Sequence, residues 1–151
     1  MKHPERIELA PGYSISRIIT GLWQVADIEK EDGSMDLGPA ASALVDYAES
    51  GFDTFDMADH YGSAELIAGH ARRKMQEHDS ANGPSSKARF HTKWCPKPGE
   101  MTPQKVREGV LLSAERLDTQ EIDLMQFHWW NYEPPQYLDA LEGLRAVKDE
   151  G

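Results

Sequence analysis

The stretch GFDTFDMADHYGSAE, running from Gly51 to Glu65, decides how the chain is read. Gly51 stops a preceding helical pattern, and FDTFDMA is a short buried-strand candidate that carries Asp56 at its C-terminal end. Tyr61 and Gly62 fall in the turn that follows. Ser63 then fits a helix N-cap, and Glu65 sits in the first helical turn, where a carboxylate suits the helix dipole. A carboxylate and a phenol are thus placed together where a strand hands over to a helix.

The same alternation extends in both directions. Ile15 to Trp23 is apolar and β-branched and reads as a first strand. LGPAASALVDYAESG follows as a helix, with Ala40, Leu44, Val45 and Ala48 on its apolar side. After Tyr61, SAELIAGHARRKMQEH reads as a second helix with Leu66, Ile67 and Met75 on one side, and DSANGPSSKA as a mobile polar loop. RFHTKW is a third strand. Thr102 and Pro103 fit the N-cap and first position of a third helix with an inner face of Val106, Val110, Leu111 and Ala114. EIDLMQFHWW is a fourth strand, and a fourth helix carries Tyr137, Leu138, Leu141, Leu144 and Val147 as its stripe.

Four βα units predict a parallel sheet covered by helices, either doubly wound or barrel-type. A dinucleotide fingerprint of three spaced glycines does not follow the first strand. The polar residues help to decide, because they fall at the C-terminal ends of successive strands, where barrel chemistry is built. Asp56 ends the second strand, Lys93 the third and His128 the fourth, with Tyr61 beside the first of these. A free phenol has a pKa of about 10 and is a poor acid near neutrality. An adjacent ammonium favours its ionised form, a carboxylate holds the ammonium in place, and an imidazole can orient a substrate oxygen. Those are the parts for protonating a carbonyl oxygen while hydride reaches the carbon.

These residues resemble the aldo-keto reductase family. Asp56, Ala58, Tyr61, Gly62 and Glu65 match its D-x-A-x-x-Y-G motif and the Glu that follows. Thr92 with Lys93, and His128 at a strand end, match two further motifs in the family's order. The resemblance implies a (β/α)8 TIM-type barrel of which residues 1–151 hold about four βα units. It also implies NADP(H)-dependent reduction of a small aldehyde or ketone to an alcohol. On that basis Tyr61 is the expected proton donor, Lys93 its activator, Asp56 the partner of Lys93, and His128 the group that orients the carbonyl. Gly21, Leu22 and Trp23, with Asp56, are expected at the nicotinamide, and Trp23, Trp94 and Trp129 at the substrate. Some family members are regulatory subunits on membrane channels, which leaves a non-catalytic binding role open. A lyase using Lys93 as a Schiff-base amine is a third reading.

Composition narrows the partners. With 16 Lys plus Arg against 26 Asp plus Glu, the formal net charge is -10, which repels nucleic-acid backbones. There is no apolar run long enough for a membrane span and no secretory h-region. The single cysteine, Cys95, agrees with a reducing compartment, so a cytoplasmic protein is expected. Neither H-E-x-x-H nor C-x-x-C is present, so no metal is expected. About 200 residues is already small for a whole barrel. A half-barrel with an apolar inner face is therefore expected, which is either a fragment or pairs with a second half or with itself.

Overall fold

Pro11 and Gly12 turn the chain back on itself ahead of the expected first strand. In the computed structural model, which describes residues 3–26, 36–82, 88–133 and 135–151, β1 (Arg6–Ala10) pairs antiparallel with β2 (Tyr13–Ser16). Gly12 has φ of +74° at this reversal, a conformation that favours glycine. The single strand expected over Ile15–Trp23 is therefore divided. Ile15 and Ser16 belong to β2, and only β3 (Thr20–Gly21) enters the main sheet.

The remaining elements alternate as α1 (Leu37–Glu49), β4 (Thr54–Asp56), α2 (Ala64–Asn82), β5 (Arg89–Trp94), α3 (Pro103–Arg116), β6 (Leu124–Phe127) and α4 (Tyr137–Glu150). The four main strands lie parallel in the order β3-β4-β5-β6. Their spatial order equals their chain order. A doubly wound sheet reverses order at a switch point; here, with right-handed crossovers, every helix falls on one face. The helices accordingly pack in sequence, α1 on α2, α2 on α3 and α3 on α4. This is the winding of a barrel wall.

Helix starts follow their caps. The Asp36 carboxylate accepts from the Gly38 N–H, and the Thr102 hydroxyl accepts from the Lys105 N–H with Pro103 behind it. The second helix is longer than expected and reaches Asn82, taking in the start of the expected polar loop, of which residues 83–87 lie outside the described residues.

The core lies between sheet and helices. Phe55 and Phe90 are register partners, fully buried and stacked at 5.2 Å between ring centroids. Burying such a ring contributes roughly 1.5–3 kcal/mol. Leu44, Ile67, Met75 and Leu117 close over this pair from the helices and the turn after α3. A second cluster joins Trp94, Met101, Val106, Trp129 and Ala140. Four residues expected to face inward do not: Leu66, Leu111, Leu138 and Leu141 are exposed, while Ala114 is buried as expected and Ala68, Ala140 and Gly143 take further inner positions. Small residues win there because the helices approach closely. A Cβ on Gly143 would come within 2.8 Å of the Val106 side chain.

The other face of the sheet is polar, not apolar as expected. Thr54, Asp56, His91, Lys93 and Gln126 share it by strand alternation. The β1–β2 hairpin closes its N-terminal end. Arg6 donates to both Asp53 carboxylate oxygens at 2.9 and 2.7 Å, Ser16 N–H donates to Thr54 Oγ1 at 3.0 Å, and Tyr13 Oη lies 2.9 Å from His91 Nε2. The C-terminal end remains for the site.

Candidate active site

Backbone pairing continues past the strand ends and fixes the rim. Leu22 N–H donates to Asp56 O, Met57 N–H to His91 O, Asp59 N–H to Lys93 O and His128 N–H to Trp94 O, each at 2.9 Å. The loops carrying the polar side chains are thus held to neighbouring strands.

The expected four residues gather on this rim. Lys93 Nζ donates to Asp56 Oδ2 at 2.6 Å and to the Met57 carbonyl at 2.9 Å. It also lies 5.0 Å from the centroid of the Tyr61 ring, within cation–π range. Two of the ammonium's three protons are thereby committed to Asp56 and Met57, with the charge held over the Tyr61 ring. Gln126 Nε2 donates to the other Asp56 oxygen at 3.3 Å, so both carboxylate oxygens are engaged. The His128 ring packs on Trp130 at 4.3 Å between centroids. Across from it stands His60, 6.4 Å away, whose ring meets Tyr61 at 4.9 Å.

Of the four residues expected at the nicotinamide, Asp56 lies on the rim beside Lys93 and the other three divide. Gly21 pairs with Asp56 in the sheet, and the space where its Cβ would stand is open. Trp23 is 45% exposed and meets Tyr61 edge-on at 4.6 Å. Leu22 is fully buried in the helix-side core, so its side chain does not reach the rim.

Two substrate-pocket expectations are corrected. Trp94 (5% exposed) and Trp129 (4%) are core residues. Trp94 follows Lys93 in β5, so alternation turns it to the helices, where it covers Gly109; a Cβ there would come 2.3 Å from Trp94 Nε1. The Trp129 indole N–H donates to the Asn131 carbonyl. Trp130, 67% exposed, is the tryptophan of this segment that stands on the rim, and its indole N–H donates to Cys95 Sγ at 2.8 Å. Burial pushes the Cys95 thiol up, against the opposing effect of that hydrogen bond, which disfavours a nucleophilic thiolate.

Several residues to which the sequence assigns no role in the site support it. Glu65 is 1% exposed and ties α2 to its neighbours: Thr92 Oγ1 donates to Oε1 at 2.6 Å, and Arg116 reaches Oε2 at 3.3 Å. Arg116 also donates to the Asp59 carbonyl at 3.2 Å, bracing the turn that carries Tyr61. Asp59 Oδ2 accepts from Cys95 N–H at 2.9 Å. The available signal was Glu65 inside the motif, a carboxylate on an apolar helix side that needs a cation. Among the described residues no cluster of three or more His, Cys, Asp or Glu could hold a metal, and no helix is long and apolar enough to cross a membrane.

Comparison with known proteins agrees with this fold. Residues 17–151 match the aldo/keto reductase family model. The chain is 27% identical over 108 residues to the chloroplastic pyridoxal reductase of Arabidopsis thaliana, covering 68% of this chain and 30% of that protein. A solved aldo-keto reductase of Pseudomonas aeruginosa superimposes with a TM-score of 0.70 at 24% identity, covering 99% of this chain and 56% of the other. A Bombyx mori aldo-keto reductase in complex with NADP gives a TM-score of 0.70 at 20% identity, covering 100% and 48%. The chain therefore spans about half the length of these solved relatives, and its four βα units correspond to part of their (β/α)8 barrel. With its family model spanning all but the first 16 residues, the chain belongs to the aldo/keto reductase family.

Proposed function

We propose that the protein is an oxidoreductase that reduces the carbonyl group of a small aldehyde or ketone with NADP(H), and that Tyr61 donates the proton. The observation that carries this is the Lys93 ammonium, clamped by Asp56 and Met57 against the Tyr61 ring. As the phenol gives up its proton to the carbonyl oxygen, negative charge grows beside a cation that is already in place. Such pre-arranged stabilisation needs no reorganisation at the moment of transfer. On this reading His128, whose ring packs on Trp130, holds the carbonyl oxygen towards Tyr61.

On the same reading the rim takes the nicotinamide end of the cofactor. The open space over Gly21 adjoins Asp56 and the exposed face of Trp23, which together would hold it. When bound, the reduced cofactor supplies hydride to the carbonyl carbon. Because Lys93 is committed to Asp56 as an ammonium, a Schiff-base role for it is disfavoured. The likeness to a pyridoxal reductase makes a heteroaromatic aldehyde the first substrate to try. The edges of the four-stranded sheet, β3 and β6, are where further strands would complete the wall, from this chain's own protein or a second copy.

The test is aldehyde-dependent NADPH oxidation by the native protein and by Tyr61→Phe. A loss of about 100-fold or more in kcat is expected, in the range for removing a positioned acid. Equal rates would overturn the assignment.

A further inference from the structure

Next to Tyr61 stands a second acid–base pair that the proposed reaction does not yet use. Asp59 is held on every side. Its N–H donates to the Lys93 carbonyl at 2.9 Å, its own carbonyl accepts from Arg116 at 3.2 Å, and its Oδ2 accepts from the Cys95 N–H at 2.9 Å. Its remaining oxygen, Oδ1, lies 2.9 Å from His60 Nδ1. A fixed carboxylate on Nδ1 selects the tautomer with its proton there and leaves the Nε2 lone pair free, which is how an orienting acid prepares a histidine base. The His60 side chain is 39% exposed, yet its ring meets Tyr61 at 4.9 Å and faces His128 at 6.4 Å. His60 is thus in ring contact with Tyr61 while part of its side chain remains open to solvent.

We propose that His60, positioned by Asp59, returns the proton to Tyr61 after each reduction. This rests on the reading of Tyr61 as donor. When Tyr61 protonates the carbonyl oxygen, its O–H bond breaks and a phenolate remains beside Lys93. The His60 imidazolium then gives up its Nε2 proton, forming the Tyr61 O–H bond again, and the neutral imidazole takes a proton from a solvent water, whose hydroxide leaves to bulk, so that each reduction consumes one solvent proton. No electron is moved and the site ends where it began. The titratable and charged groups around this pair are Asp59, Tyr61, Lys93, Cys95, Arg116 and His128.

The test compares native protein, His60→Gln, Asp59→Asn and Tyr61→Phe in steady-state reduction of pyridine-4-carbaldehyde by NADPH across pH. His60→Gln is expected to lower kcat by about 10-fold or more with KM within about threefold, since general acid–base groups contribute roughly 10²–10⁴-fold when they act on the transition state itself. Added imidazole is expected to restore part of the rate in His60→Gln but not in Tyr61→Phe. A kcat within twofold of native, or a loss that imidazole leaves untouched, overturns the relay while the Tyr61 assignment stands. A native protein no faster than Tyr61→Phe overturns both. Nitrogen NMR supplies a readout independent of turnover: neutral His60 is expected with its proton on Nδ1, and a proton on Nε2 would contradict the proposal.

Discussion

Lys93 Nζ donates to Asp56 Oδ2 at 2.6 Å although the two residues are not register partners. Asp56 stands opposite His91, and Lys93 opposite Gln126. The lysine therefore reaches diagonally across two strands, a span that a long side chain can make. The pair fixes the spacing of β4 and β5 at the rim and sets the charge beneath Tyr61 in the same contact.

That double duty predicts a coupled cost. Asp56→Asn and Lys93→Met each strand a half-buried charge and are expected to lower stability by about 1–3 kcal/mol, less than for a fully buried pair. The double variant is expected to lose less than the sum of the singles in urea unfolding. Strict additivity would mean that the contact contributes nothing.

Acid and alkali are expected to loosen the hairpin at the opposite end. Burial lowers the pKa of His91 below its ordinary value, with Asp123 and Asp56 opposing and Arg89 and Lys93 assisting. Between that lowered value and about 6.5, the unfolded chain binds a proton that the folded one does not. Stability is then full above about 6.5 and falls as pH drops through the folded value. Tyr13 has the opposite sign: burial first, then Asp123, against Arg89, raises its pKa to about 12. Its contribution is present below about 10 and is lost as pH climbs towards the raised value. Melting curves against pH check both, with His91→Gln flattening the acid limb and Tyr13→Phe the alkaline one.

Gly69→Ala is expected to destabilise the protein by about 1–3 kcal/mol, even though alanine favours helix by up to about 1 kcal/mol. A Cβ at Gly69 would lie 2.3 Å from the Arg116 carbonyl oxygen, and backbone cannot swing aside as a flexible side chain can. Thermal unfolding gives the sign directly. An unchanged midpoint would mean that α2 and α3 separate more readily than their packing implies.

The tryptophans are expected to divide between stability and function. Trp94→Ala opens the core between β5 and α3 and is expected to cost about 3–5 kcal/mol. Trp130→Ala removes an exposed ring from His128 and is expected to change stability by less than about 1 kcal/mol while altering substrate KM. The reverse pattern would return Trp94 to the substrate pocket.

The sequence made the βα order legible because apolar runs and helix caps recur at fixed intervals, and Thr102–Pro103 lies where its chemistry requires. It brought Asp56, Tyr61, Lys93 and His128 to one rim because each falls at or beyond a strand end. The hairpin was overlooked although Pro11–Gly12 marks it, since the apolar run after it reads as one strand. Trp94 was misplaced although period-two alternation from Lys93 already turns it away. Other features depend on distant partners. Glu65 meets Arg116, 51 residues later in the chain, and Cys95 meets Asp59 across two strands; no local pattern announces either pair.

Isotope transfer tests the central claim most directly. The protein is mixed with NADPH carrying deuterium at the transferable position and with pyridine-4-carbaldehyde, and the alcohol product is weighed by mass spectrometry. The account predicts one deuterium on the carbinol carbon with native protein and about 100-fold less product with Tyr61→Phe. Unlabelled alcohol, or equal labelled product from both proteins, would contradict it.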